Sequence, residues 1–148
     1  MEVTTLVHKF DVALKWDYET DNGIARAGNR MPLLFGAPPE FGGTELTWSP
    51  EHLLAASVAS CYVTTFMSFA KRMKVTITDF RISCKVEFTK GEEGGFEATR
   101  YVLRPLVELH GNPEQQILDS LFEKAKKYCF ISNSVKGEII IEPNVLNG

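Results

Sequence analysis

Between Leu53 and Ala70 the chain carries no charged side chain. A helix that is small or apolar on every side must be covered by protein or by lipid, and that requirement constrains the fold more than anything else in the sequence. The stretch opens with Ser49-Pro50-Glu51. Ser49 can cap free backbone N–H groups, Pro50 suits the first helical position, and Glu51 sets a carboxylate near the positive end of the helix dipole. Lys71, Arg72 and Lys74 crowd the far end, where cations suit the dipole. The pattern predicts a central helix over 49–74, about 40 Å long. Lipid is the lesser reading. The run is just long enough for a span, but it holds Ser57, Ser60, Thr64, Thr65 and Ser68 and has no aromatic belt. A core helix with no membrane is the expectation.

The remaining chain supplies what could cover such a helix. Apolar residues alternate through Leu6, Phe10, Val12, Leu14 and Trp16, predicting a strand over 5–18. Asp21-Asn22-Gly23 marks a turn into a second strand at 24–27, and Arg30 to Phe35 reads as a third. Residues 1–48 thus form a small antiparallel meander and a loop. Past the helix, Val75 to Phe88 alternates, a Gly91–Gly95 loop follows, and Phe96 to His110 makes a partner strand. Pro105 within it suggests an edge or a bulge. Asn112-Pro113-Glu114 repeats the start signal before an amphipathic helix over 113–128, and Lys136 to Glu142 closes the chain as a strand. The order βββ-α-ββ-α-β is an α+β pattern, and 148 residues form a single domain, with 75–148 as its ββαβ portion.

A net charge of −3 gives no basic footprint, so nucleic acid is not an expected partner. The chain opens Met1-Glu2-Val3 without a basic and apolar leader, and its three cysteines are odd in number and widely spaced. Both features argue for the cytoplasm, with reduced thiols, over a secreted disulfide framework. No cysteine pair has metal-ligand spacing, and His8, His52 and His110 are scattered, so no metal site is expected. Cys84 sits on the apolar face of a strand and reads as a small core residue. Cys61 lies mid-helix and Cys129 ends a helix beside a turn. The residues alone leave open whether these two pack or react.

The run Ser49-Pro50-Glu51-His52-Leu53-Leu54-Ala55-Ala56-Ser57-Val58-Ala59-Ser60-Cys61 resembles the signature helix of the OsmC/Ohr family, the osmotically inducible protein C and organic hydroperoxide resistance proteins. Lys127-Tyr128-Cys129-Phe130-Ile131-Ser132-Asn133 is similar to the family's Cys-Pro-Val-Ser segment, and Glu40-Phe41-Gly42-Gly43 to its loop before the helix. The resemblance implies an OsmC-like fold and a thiol peroxidase that reduces organic hydroperoxides in oxidative stress defence. Cys61 would be the peroxidatic thiol, Cys129 the resolving thiol and Glu51 the active-site glutamate. The family's arginine is less clear: the position near Asp21 holds none, leaving Arg26 and Arg30 as candidates. No cofactor is implied beyond an external dithiol, such as a lipoyl protein or thioredoxin. An alternative is a stress-associated or ligand-binding protein of the same fold with little or no peroxidase activity.

The implied chemistry suits these residue types. A thiolate is the nucleophile, and a guanidinium pinned by a carboxylate would favour it. Attack on the O–O bond leaves a sulfenic acid on Cys61, which Cys129 condenses to a disulfide. Tyr62, Phe66, Phe41 and Phe130 are candidates to line an apolar slot for the peroxide. Glu51 and Cys61 lie about 15 Å apart along one helix, so a shared site needs a bend or a second chain. The family's intertwined homodimer fits that need.

Overall fold

The computed structural model describes residues 5–147, which divide into two compact units, one ending at His52 and the other starting at Leu53. The first unit holds a three-stranded antiparallel sheet in the order β1 (Ala13–Asp17), β2 (Asn22–Arg26), β3 (Leu33–Phe35). β1 is shorter than the alternation over 5–18 predicts because its register with β2 begins at Ala13↔Arg26, where β2 itself ends. Residues 5–12 precede the β1–β2 ladder and belong to no strand among the described residues. β3 likewise starts late, since Ala27 to Arg30 is spent on a turn closed by Arg30 N–H donating to Ala27 O at 3.1 Å. Gly23 is confined by the Phe35 ring, which a Cβ there would strike. A 3-10 turn at Pro39–Phe41 leads out of the sheet.

Helix α1 (Pro50–Arg72) begins as its cap predicts: Ser49 Oγ accepts the His52 backbone N–H at 3.1 Å. It stops two residues before Lys74, which takes a left-handed φ of 57°. Val75 N–H then donates to Ala70 O at 2.9 Å, the long-reach bond of a Schellman-type end. The buried residues Val58, Tyr62, Phe66 and Ala70 recur every fourth position, so they form a single stripe. The opposite side, including Ser60, Thr64, Met67 and Ser68, is exposed. Among its described residues, then, the second unit covers the uncharged stretch of α1 on one side. The helix is also long and apolar enough to cross a membrane by length and composition.

The second unit's sheet is built on β5 (Phe96–Leu109), which pairs antiparallel with β4 (Ile77–Lys90) on one side. On the other side it pairs parallel with β6 (Glu138–Ile141) and then β7 (Asn144–Asn147). Pro105 therefore sits in the central strand, not at an edge. The Leu103 carbonyl accepts Glu142 N–H, so Leu103 and, two residues on, Pro105 turn their backbones toward the β6–β7 side. Pro105 meets that side between the end of β6 pairing at Leu103 and the start of β7 pairing at Leu106. A missing N–H is harmless at that break. Pro143 makes the break: the closing strand expected over 136–142 forms as β6, and β7 beyond the proline is a further strand that the order βββ-α-ββ-α-β lacks. Helix α2 (Gln115–Lys127) starts later than the Asn112-Pro113-Glu114 signal predicts. Asn112 is engaged elsewhere, its side-chain carbonyl accepting Asn147 Nδ2 at 3.0 Å.

The core lies between the helices and the sheet. Tyr101, Leu103, Val107 and Leu109 project from one face of β5 against the α1 stripe and against Leu118, Leu121 and Ala125 of α2. Phe66 is its hub, with ring centroids 4.9 Å from Phe80 and 5.1 Å from Phe122.

Candidate active site

Cys61 stands one residue before buried Tyr62 on α1, at the margin of the buried stripe, and is itself half-buried. Cys129 follows the end of α2 and is fully buried. The turn it opens is wound tightly: Asn133 N–H donates to Cys129 O at 3.1 Å and Ser134 N–H to Ile131 O at 3.0 Å. That winding aims the backbone N–H groups of Phe130 and Ile131 at the Cys61 sulfur. The structure thus brings together the two thiols that the resemblance pairs, within hydrogen-bonding reach of one another.

Their surroundings separate them chemically. Partial burial pushes the Cys61 thiol up. The Ile131 N–H, the Cys129 thiol, the Thr65 hydroxyl and the Phe130 N–H more than offset this and hold it below the ordinary thiol value. Thr65 is one helical turn beyond Cys61, which sets its hydroxyl beside the sulfur, whereas the Thr64 hydroxyl donates to the Cys61 carbonyl at 3.1 Å. For Cys129 burial comes first and pushes the thiol up. Ser132 hydroxyl and N–H act against the rise, and the neighbouring Cys61 thiol reinforces it. Of the two, Cys61 is therefore the thiol whose surroundings favour the thiolate, and Cys129 the one whose surroundings disfavour it. Cys84 on β4 packs against the core with its thiol raised by burial, as a structural residue should be.

The other expected site residues belong to the first unit. Glu51 lies in the first turn of α1, and its Oε2 is buried without a hydrogen-bond partner. Arg26 ends β2 and Arg30 occupies the following turn, both exposed; Arg30 Nη1 donates only to Ala27 O at 3.4 Å. Among the described residues the ion pairs are Arg81–Asp79, Arg100–Glu87 and Arg104–Glu142, so neither arginine pairs with Glu51. Of the aromatic candidates, Tyr62 and Phe66 are core, and Phe41 is exposed in the first unit. Phe130 lines an open groove of about 600 Å³ with Thr65, Ser68, Phe69, Arg72 and Lys124. The groove shares Thr65 and Phe130 with the shell around Cys61. Sequence reasoning missed Thr65, the backbone of Phe130 and Ile131, and Ser132. Thr65 was discoverable, since a hydroxyl four residues after a helical cysteine shares its face.

Comparison with known proteins bears on the fold and the family. The chain is 27% identical over 128 residues to peroxiredoxin OsmC of Escherichia coli (strain K12), covering 86% of this chain and 84% of that protein. An OsmC-like protein of unknown function from Vibrio cholerae O1 biovar eltor superposes with a TM-score of 0.85 at 23% identity, over 93% of this chain and 99% of that one. An organic hydroperoxide resistance protein from Elizabethkingia anophelis gives a TM-score of 0.72 at 22% identity, over 98% of this chain and 100% of the other. These two likenesses are of fold. The family model for OsmC-like protein matches residues 42–144, a span that carries both helices, the Cys61 and Cys129 thiols and strands β4 to β6, and the chain belongs to that family.

Proposed function

We propose that the protein is a thiol peroxidase that reduces organic hydroperoxides. The observation that supports this most directly is the unequal thiol pair: a half-buried Cys61 held below the ordinary thiol value beside a buried Cys129 held above it. The Cys61 thiolate attacks the terminal oxygen of R–O–OH, the O–O bond breaks, and the alkoxide leaves as an alcohol after taking a proton. Cys61 is left as a sulfenic acid. Cys129 displaces its hydroxyl as water, giving a Cys61–Cys129 disulfide, and an external dithiol such as a lipoyl protein or thioredoxin restores both thiols. The groove beside Thr65 and Phe130 has the room and the apolar wall for an organic R group. The likeness to a curated peroxiredoxin supports the same chemistry. Turnover of cumene hydroperoxide with dithiothreitol, together with a two-hydrogen mass loss joining the Cys61 and Cys129 peptides, is the expected result. No turnover would leave the second reading, a binding protein of this fold, which the absence of an arginine on Glu51 favours.

The working form is proposed to be a homodimer. Phe10 is 85% exposed, Met31 92% and Leu46 90%, and one side of the uncharged α1 is open. Apolar surface of this extent on a soluble protein marks an interface. Light scattering is expected to give twice the chain mass, and a stable monomer at micromolar concentration would refute it.

A further inference from the structure

The Ser132 hydroxyl oxygen is buried and completes no hydrogen bond, although buried polar groups are almost always paired. It lies beside the Cys129 sulfur. The Ser132 backbone N–H already donates to that sulfur at 3.5 Å. The two sulfurs also differ in access, Cys129 being fully buried and Cys61 half-buried. A disulfide between them would meet a reductant at Cys61 only. Displacement there drives the bonding electrons onto Cys129, in apolar surroundings where a bare thiolate is a poor leaving group.

We propose that Ser132 is the positioning residue for the reductive half of the cycle, its N–H and hydroxyl receiving the charge on Cys129 when a dithiol attacks Cys61. The proposal rests on the peroxidase reading for the origin of the disulfide. One reductant thiolate attacks Cys61 Sγ, the Cys61–Cys129 bond breaks, and its electron pair goes to Cys129 Sγ. The Ser132 hydroxyl turns to donate to that thiolate, which then takes a proton from water. The second reductant thiol attacks the sulfur of its own partner in the mixed disulfide. The reductant leaves as a cyclic disulfide, and Cys61 is released as a thiolate. Before oxidation Cys129 is disfavoured as a thiolate, and the hydroxyl lies beside its sulfur without completing a full hydrogen bond.

The test uses the full chain with its disulfide formed by diamide, so that it stands whether or not hydroperoxides are turned over. Reduction by dithiothreitol is expected to be about tenfold slower in Ser132→Ala, the worth of one hydrogen bond to a charge. Ser132→Thr is expected to restore most of the rate. In a Cys61→Ser background, the thiolate absorbance of Cys129 should titrate at higher pH after Ser132→Ala and return with Ser132→Thr, a shift that a merely structural role would not cause. On the otherwise unchanged protein, glutathione followed by rapid alkylation should place the mixed disulfide on Cys61. Equal reduction rates in Ser132→Ala, or glutathione mapped to Cys129, would overturn the proposal while leaving the peroxidase reading untouched.

Discussion

Cys61→Ser is expected to abolish hydroperoxide consumption, a loss of roughly a thousandfold or more, because no other group can supply the attacking electron pair. Cys84 is raised by burial and Cys129 is likewise held above the ordinary value, so neither thiol substitutes for it. Cys129→Ser should behave differently, consuming about one equivalent of peroxide and stopping at the sulfenic acid. The pH dependence follows from the sign of the Cys61 shift. Its thiol is held below the ordinary value, so the rate falls as pH drops through that lowered value, at a lower pH than an unassisted thiol would show. Thr65→Val removes one of the donors and should move the alkaline-rising limb to higher pH, whereas Thr65→Ser should leave it in place. A profile for Thr65→Val that coincides with the original would show that the hydroxyl does not serve the thiolate. Full turnover by Cys61→Ser would end the enzyme reading outright.

Phe66→Ala should cost about 3–5 kcal/mol in the stability of the second unit. The side chain is fully buried and stacks against Tyr62, Phe80 and Phe122, drawn from both helices and β4. Rings from three elements cannot collapse together into the space left by one, so the lost contacts add to the lost burial. Against a typical total of about 5–15 kcal/mol the change is large, and it should lower the melting temperature by roughly 10 °C. Urea unfolding followed by far-ultraviolet circular dichroism measures it. A loss below about 1 kcal/mol would mean that the core repacks around the gap, contrary to the interlocked geometry.

What the sequence made legible was mostly local. The α1 cap, the absence of charge along it and the alternation of β4 and β5 are each written within a short window, and each element formed close to its predicted bounds. What it hid depended on partners far along the chain. The alternation of residues 5–18 could not say that β2 ends at Arg26, so that its ladder with β1 begins only at Ala13. Asn112 looked like a helix cap until Asn147 claimed its side chain. Pro105 looked like an edge signal because nothing local announces that Pro143 interrupts the neighbouring strand at the matching height. The thiol pair was legible only through the family resemblance. The shell that separates the two thiols was not, because it consists largely of backbone N–H groups, which every residue but proline carries.

That last point bears on how the protein ages and fails. All but one of the donors that acidify Cys61 come from a turn far away in sequence, wound by Asn133 N–H on Cys129 O and Ser134 N–H on Ile131 O. Nucleophilicity here is a property of the finished tertiary structure. A chain whose 129–132 turn has come undone loses its heightened reactivity in the same event, so damage disarms the thiol before it can become a promiscuous target for oxidants.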